Sequence, residues 1–172
     1  MAIETPKYDV IKKDRQIEIR HYLGYINATV DIESDSHSTA GSQGFGYLAN
    51  YIFGGNKNGQ KIPMTAPVST SKKNRSNQYS ISFTMPSKYS QESLPIPNND
   101  NVVIEKIEKY KAVVIKFSGY TTESKLENKT KELKMWAKQH KLNLIGAPII
   151  SRFDPPWKPG FLRHNEISIK IQ

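Results

Sequence analysis

The order in which hydrophobic periods alternate constrains this chain more than any other feature of its sequence. Residues 8–11 and 16–23 read as short strands around Lys13-Asp14-Arg15. In the second, Ile17, Ile19, His21 and Leu23 share one face and Glu18, Arg20 and Tyr22 the other, because strand side chains alternate with a period of two. Residues 25–32 continue the alternation through Ile26, Ala28, Val30 and Ile32. Ser34-Asp35-Ser36 then offers an N-cap. Ala40, Gly44, Tyr47, Leu48, Tyr51 and Ile52 recur at helical spacing, and Gly54-Gly55 ends that helix. Strand periods return at 64–70 and 79–85, on either side of a polar, Ser- and Lys-rich loop.

Residues 86–101 hold three prolines with several Asn and Ser, the composition of a linker or long loop. Residues 102–108 and 111–118 are β-branched and alternating. Thr121 or Thr122 can cap a second helix, with Leu126, Thr130, Leu133, Ala137 and His140 as its inward stripe. Residues 149–153 and 166–171 are further strands. The order strand–strand–helix–strand–strand thus occurs twice. A local echo supports a duplicated unit, since Ala66-Pro67-Val68 follows the first helix and Ala147-Pro148-Ile149, 81 positions later, follows the second. The expected fold class is α+β: a distorted antiparallel β-barrel of two ββαββ-type pseudo-repeats, about 7–86 and 102–171. About eight strands would form one curved sheet with two long helices packed outside it. The expectation is one domain over residues 1–172, with a ligand cleft where a helix faces a loop.

Composition narrows the chemistry. The chain has no cysteine, which excludes disulfides, Fe–S clusters, covalent c-type haem, thiolate catalysis and Cys-based zinc sites. No run of 18 apolar residues exists, so no transmembrane helix is expected. Residues 1–8 carry no apolar signal-peptide region, and a cytoplasmic location is the expectation. The net charge is +9. Lysines dominate it and are spread along the chain, the densest cluster being Lys72-Lys73-Asn74-Arg75 in a polar loop. That is the pattern of a solvated surface, with no specific nucleic-acid partner implied. No G-x-S-x-G elbow, P-loop, G-x-G-x-x-G or H-E-x-x-H is present. Gly41-Ser42-Gln43-Gly44-Phe45-Gly46 falls within the first helix, where it cannot cradle a phosphate.

Three segments carry a resemblance. Lys61-Ile62-Pro63-Met64-Thr65-Ala66-Pro67-Val68 is similar to the K-I-x-M-T-A-P-V of the SOUL haem-binding family. Phe153-Asp154-Pro155-Pro156-Trp157-Lys158-Pro159, followed by Arg163-His164-Asn165-Glu166-Ile167, resembles that family's D-P-P-x-K-P and R-x-N-E-V segments. Ile17-Glu18-Ile19-Arg20-His21-Tyr22 is similar to the Y-E-I-R-H-Y of one branch. The resemblance runs from about Pro6 to Ile171. It implies the barrel read above and non-covalent binding of haem or another tetrapyrrole. GyrI-like effector-binding domains, which take bulky hydrophobic small molecules, share this architecture, as do some proposed hydrolases. Fold alone does not choose among these functions.

The resemblance places the ligand between the first helix and the loop before the last strand. The helix offers Phe45, Leu48, Ala49 and Ile52; the loop offers Pro156, Trp157, Lys158 and Phe161. Met64 matches a pocket methionine of the family and is equally suited to filling core gaps. Lys158 would pair with a propionate, with Arg152 and Arg163 as further candidates. Trp157 would either stack on the tetrapyrrole or fill its slot. Among four histidines, His21 matches a proposed axial ligand of one branch, yet it shares the apolar strand face, where a hydrogen-bonded histidine is the plain reading. His37 is expected to be exposed at the first helix, His140 to end the second, and Arg163 and Glu166 to anchor the loop around His164. The leading expectation is a carrier, buffer or sensor of haem rather than an enzyme, with no protein partner indicated. The alternatives are an effector-binding module for small hydrophobic molecules, or a hydrolase pairing Glu166 with Tyr47 or Tyr51.

Overall fold

The computed structural model describes residues 3–74 and 76–172, so Arg75 of the Lys72–Lys73 cluster lies outside the described residues. The strands are β1 (Tyr8–Asp14), β2 (Ile17–Tyr22), β3 (Tyr25–Glu33), β4 (Val68–Lys73), β5 (Gln78–Thr84), β6 (Val103–Ile107), β7 (Tyr110–Phe117), β8 (Leu144–Arg152) and β9 (Asn165–Ile171); the helices are α1 (His37–Ile52) and α2 (Glu123–Gln139). All nine strands form one antiparallel sheet in the order β1-β2-β7-β9-β8-β4-β5-β3-β6. The α+β class, the curved antiparallel sheet and the two outer helices are therefore as the sequence predicts. Nine strands replace about eight because β1 adds a hairpin partner outside the β2–β5 and β6–β9 halves. Exchanging those halves leaves the order of the other eight strands unchanged when read backwards. Moving each residue by the 81 positions of the Ala-Pro echo also carries the pair Val68–Arg152 onto Ile149–Ser71, so β4 and β8 meet across an approximate two-fold.

Two boundaries move. The strand expected at 64–70 begins only at Val68, because Pro63 and Pro67 have no N–H to give a ladder. The strand expected at 149–153 starts at Leu144, where a bulge between Ile145 and Ile149 hides its period. The stretch at 86–101 is a packed loop: Leu94 is buried and the Tyr51 hydroxyl donates to the Pro95 carbonyl at 2.7 Å.

Both helices lie on the same side of the sheet. α1 is capped by Ser36 and presents Ala40, Leu48, Tyr51 and Ile52 to Val30, Ile81 and Phe83. α2 is capped by Thr122 and presents Leu126, Leu133, Trp136 and Ala137 to Val113, Ile115, Ile167 and Ile169. Trp136 thus joins the stripe, while His140 is its C-cap, stacked on the Trp136 ring at 3.7 Å. α1 sits close to the sheet because Gly44 has no side chain; a Cβ there would lie 2.7 Å from Ile81. The opposite, concave face carries the polar alternates: Glu18, Arg20 and Tyr22 on β2, Ser69 on β4, Ser82 on β5, Ser151 on β8, and Glu166 and Ser168 on β9.

Candidate functional site

The concave face closes through side chains. β7 and β3 stand five places apart in the sheet, yet the hydroxyls of Tyr110 and Tyr25 meet at 2.7 Å. Tyr22 stacks on Tyr110 with ring centroids 4.9 Å apart and meets Tyr25 edge-on at 6.5 Å. β2 and β3 do not pair with each other; the chain crosses between them in two residues, using the left-handed conformation of Gly24 (φ +88°). The curl encloses a cavity of about 300 Å³, with Tyr8, Tyr22, Tyr25 and Tyr110 as its aromatic wall and Ser69, Ser82, Ser151 and Ser168 as small hydroxyl-bearing floor residues.

One edge of this cavity is a buried ionic network. Arg20, only 1% exposed, donates from Nε to Glu18 at 2.7 Å, from Nη1 to the Tyr22 hydroxyl at 3.1 Å and to Glu166 at 2.8 Å, and from Nη2 to Glu166 at 2.9 Å. The Tyr8 ring covers the guanidinium at 4.0 Å. Lys116 reaches Glu18 at 2.6 Å, and His164 Nε2 meets Glu166 at 2.9 Å. Burial pushes the Glu166 carboxyl up, but hydrogen bonds from His164 and Arg20, together with the Arg20 charge, outweigh it and hold the carboxyl below its ordinary range. Glu18 is likewise held low against burial by Lys116 and Arg20. Burial raises the Tyr22, Tyr25 and Tyr110 hydroxyls, so they stay protonated and available as donors.

The second region begins on the helix side and centres on the 153–164 loop, whose ends Phe153 and His164 also line the concave cavity. Phe45 of α1 packs on Phe83 with centroids 5.5 Å apart; Phe83 pairs with Val68, and Val68 with Arg152, where β8 runs into the 153–164 loop. That loop is held firmly. Asp154 accepts from the His164 N–H and from Lys158 Nζ, the latter at 2.6 Å. Arg163 donates to the carbonyls of Lys158 and Pro156 and lies 4.8 Å over the Tyr120 ring. Gly160 has no room for a side chain against Tyr120 and accepts from the Gly119 N–H at 2.9 Å. On this braced loop Trp157 is 84% and Phe161 78% exposed. At the base of β8, Arg152 donates to Thr121 and Thr70 while its Nη2 is buried without a partner. Burial lowers its basicity.

The sequence-expected residues divide between these regions and the core. Leu48 and Ile52, which the resemblance gave as cleft residues, face inward from α1 and are buried in the core, on the stripe their helical spacing marks. Phe45, Ala49, Met64, Lys158, Trp157 and Phe161 keep accessible surface, and none of the eight lines the concave cavity. His21 is half-buried on β2 and pairs with Lys111 and Asp9. It lies on the helix side, four strands from β4, or about 19 Å along the sheet at ~4.8 Å per strand. The structure does not bring it to the α1 residues. Among the described residues, no group of three His, Asp or Glu side chains forms a metal cluster. His37 is half-buried rather than exposed, edge-on to Tyr79 at 4.7 Å. Glu166 is on the face opposite α1, while Tyr51 is spent on Pro95, so the acid/base pair of the hydrolase alternative is not assembled. Sequence reasoning placed Glu18, Arg20 and Tyr22 on one face of β2 but did not find the concave cavity, because the residues that close it are far apart in sequence.

The architecture is thus a curled antiparallel sheet with two outer helices, an aromatic-lined hollow and an exposed aromatic loop. The comparisons with known proteins give its family. A model of the family described as SOUL heme-binding protein matches residues 3–170, and the chain belongs to that family. It is 24% identical to heme-binding protein 1 of Sus scrofa over 96% of this chain and 92% of that one. It is 32% identical to heme-binding protein 2 of Homo sapiens over 72% of this chain and 64% of that one, a match spanning just under two thirds of that relative. Among solved structures, the EcmrR C-terminal domain superposes with a TM-score of 0.70 at 16% identity, covering 91% of this chain and 97% of that one. A hydrolase from Listeria innocua superposes at 0.64 with 9% identity, covering 94% of each. At those identities the likeness concerns the fold. No helix of the described residues is long and apolar enough to cross a membrane.

Proposed function

We propose that this chain binds haem or a related tetrapyrrole non-covalently on the helix side of the sheet, between α1 and the 153–164 loop. The observation that carries this reading is the braced loop, which holds Trp157 and Phe161 almost fully in solvent although each would gain by burial. Family membership supplies the ligand class. Phe45, Ala49 and Met64 form the other apolar wall, and a tetrapyrrole face laid against Trp157 and Phe161 supplies the missing burial. Lys158 and Arg163 stand at the rim for propionates. Lys158 already pairs with Asp154, so a propionate gains from it only by sharing that partner, while Arg163 is engaged by neutral carbonyls. Iron ligation by His21 is not part of this reading, because His21 stands four strands away from β4. The role is that of a carrier, buffer or sensor.

Titration of hemin into the purified protein tests this. A shifted Soret band saturating at one equivalent is expected. The paired substitution Trp157→Ala and Phe161→Ala is expected to weaken binding at least about tenfold, the loss of two buried aromatic contacts. Hemin affinity no better than that of an unrelated basic protein would overturn the proposal.

A further inference from the structure

The concave cavity takes no part in the function proposed above, and its chemistry is distinct. At about 300 Å³ it lies at the small end of ligand pockets. Its ionic edge is balanced: the charges of Arg20 and Lys116 meet those of Glu18 and Glu166 at 2.6–2.9 Å. The one carboxylate that lines the cavity, Glu166, is bound by Arg20 and His164. A cation entering the cavity would find that carboxylate already neutralised, and an anion would find the guanidinium covered by Tyr8 and two carboxylates. Hydroxyls, by contrast, have capacity to spare. Tyr25 and Tyr110 share one hydrogen bond, as do Ser69 and Ser151 at 3.1 Å, so each pair keeps one O–H free. Ser82, Ser69 and Ser151 are also direct cross-strand neighbours on three adjacent strands, so they form a row across the floor opposite the aromatic wall.

From this arrangement we infer a second binding site, on the face opposite the haem-binding region, for a small uncharged aromatic molecule carrying hydroxyl or carbonyl groups. The tyrosine rings take the flat face of the ligand, and the serine row and the Tyr25–Tyr110 pair exchange hydrogen bonds with its polar edge. Selectivity follows from desolvation. A charged ligand would surrender its hydration without gaining an unpaired counter-ion, and a plain hydrocarbon would leave the free hydroxyls unmatched.

Calorimetric titration with three probes tests the inference: 2,6-dihydroxynaphthalene, naphthalene and phenyltrimethylammonium. Saturable one-to-one binding of the dihydroxy compound is expected, at least about tenfold tighter than either of the others, the worth of one well-made hydrogen bond. Ser69→Leu, which fills the floor, is expected to abolish that binding, and Tyr110→Phe to weaken it about tenfold. Hemin titration of both variants is expected to match the parent protein, which separates the two sites. Absence of saturation by the dihydroxy compound, tighter binding of the ammonium probe, or unchanged binding in Ser69→Leu would overturn the inference. A failed hemin titration alongside normal dihydroxynaphthalene binding would overturn the haem proposal and leave this one standing.

Discussion

On the concave face Arg20 makes four hydrogen bonds from almost complete burial, whereas Trp157 and Phe161 stand in solvent on the 153–164 loop. Both regions are braced by hydrogen bonds, but in different ways. The concave network is satisfied internally, so its groups hold one another in place and need no ligand. The 153–164 loop is satisfied only in its backbone and its charged groups, through Asp154, Lys158 and Arg163, and its aromatic rings are left over. The contrast teaches where affinity for a large apolar ligand can arise. A saturated polar network offers little new free energy to a guest, while exposed rings on a braced backbone gain on burial.

The largest effect that would break this comparison is expected at Arg20. Arg20→Leu leaves Glu166 buried with only His164 and Glu18 with only Lys116, and a loss of about 3–5 kcal/mol in urea-unfolding stability is expected. Where the variant remains folded, its hemin titration should be unchanged. A loss below 1 kcal/mol would show that the network is not what stabilises the concave face.

Gly44→Ala comes next, at about 1–3 kcal/mol, because the added Cβ meets Ile81 where α1 approaches the sheet most closely. Thermal melting checks it, and an unchanged midpoint would contradict the close approach.

The same contrast has a pH signature. The Glu18 and Glu166 carboxyls are held below their unfolded range near 4.3, so the stabilisation they contribute is complete above that value. It is lost as the pH falls through their lowered folded values. Urea midpoints measured downward from pH 6 should decline below about pH 4, and Glu166→Gln should flatten part of that decline.

How much of this was legible in the sequence differs between the two regions for a physical reason. The strand and helix order follows from periods of 2 and 3.6 residues, which depend only on local geometry, and both N-caps, Ser36 and Thr122, stand where Ser and Thr signals placed them. The same periods put Glu18, Arg20 and Tyr22 on one face of β2. Period alone does not say whether a polar face meets solvent or another part of a curled sheet. Burial of that face depends on Tyr25 and Tyr110, far apart in sequence, meeting across the open seam. Leu48 and Ile52 show the converse limit, since the resemblance named residues of α1 without separating those its helical stripe buries from those left exposed. The 153–164 loop was legible through its Asp-Pro-Pro and Arg-His-Asn-Glu pattern, because the residues that brace it, Asp154, Lys158 and Arg163, are close in sequence.

The smallest effects sharpen the account of the loop. Lys158→Ala is expected to weaken hemin binding by severalfold at most, because the ammonium is partly exposed and already shared with Asp154. The Soret position should not move. His21→Ala should leave both affinity and spectrum unchanged, and a lost low-spin signature would show that iron reaches β2 by a route other than the α1 side.

The measurement that bears most directly on the central claim is a hemin titration of the parent protein beside the variant carrying Trp157→Ala and Phe161→Ala, with Ser69→Leu as the control on the other face. A Soret shift saturating at one equivalent in the parent and in Ser69→Leu, with affinity at least about tenfold weaker in the double variant, is the expected result. Equal hemin affinity in parent and double variant, or loss of binding in Ser69→Leu alone, would contradict the placement of the haem site between α1 and the 153–164 loop.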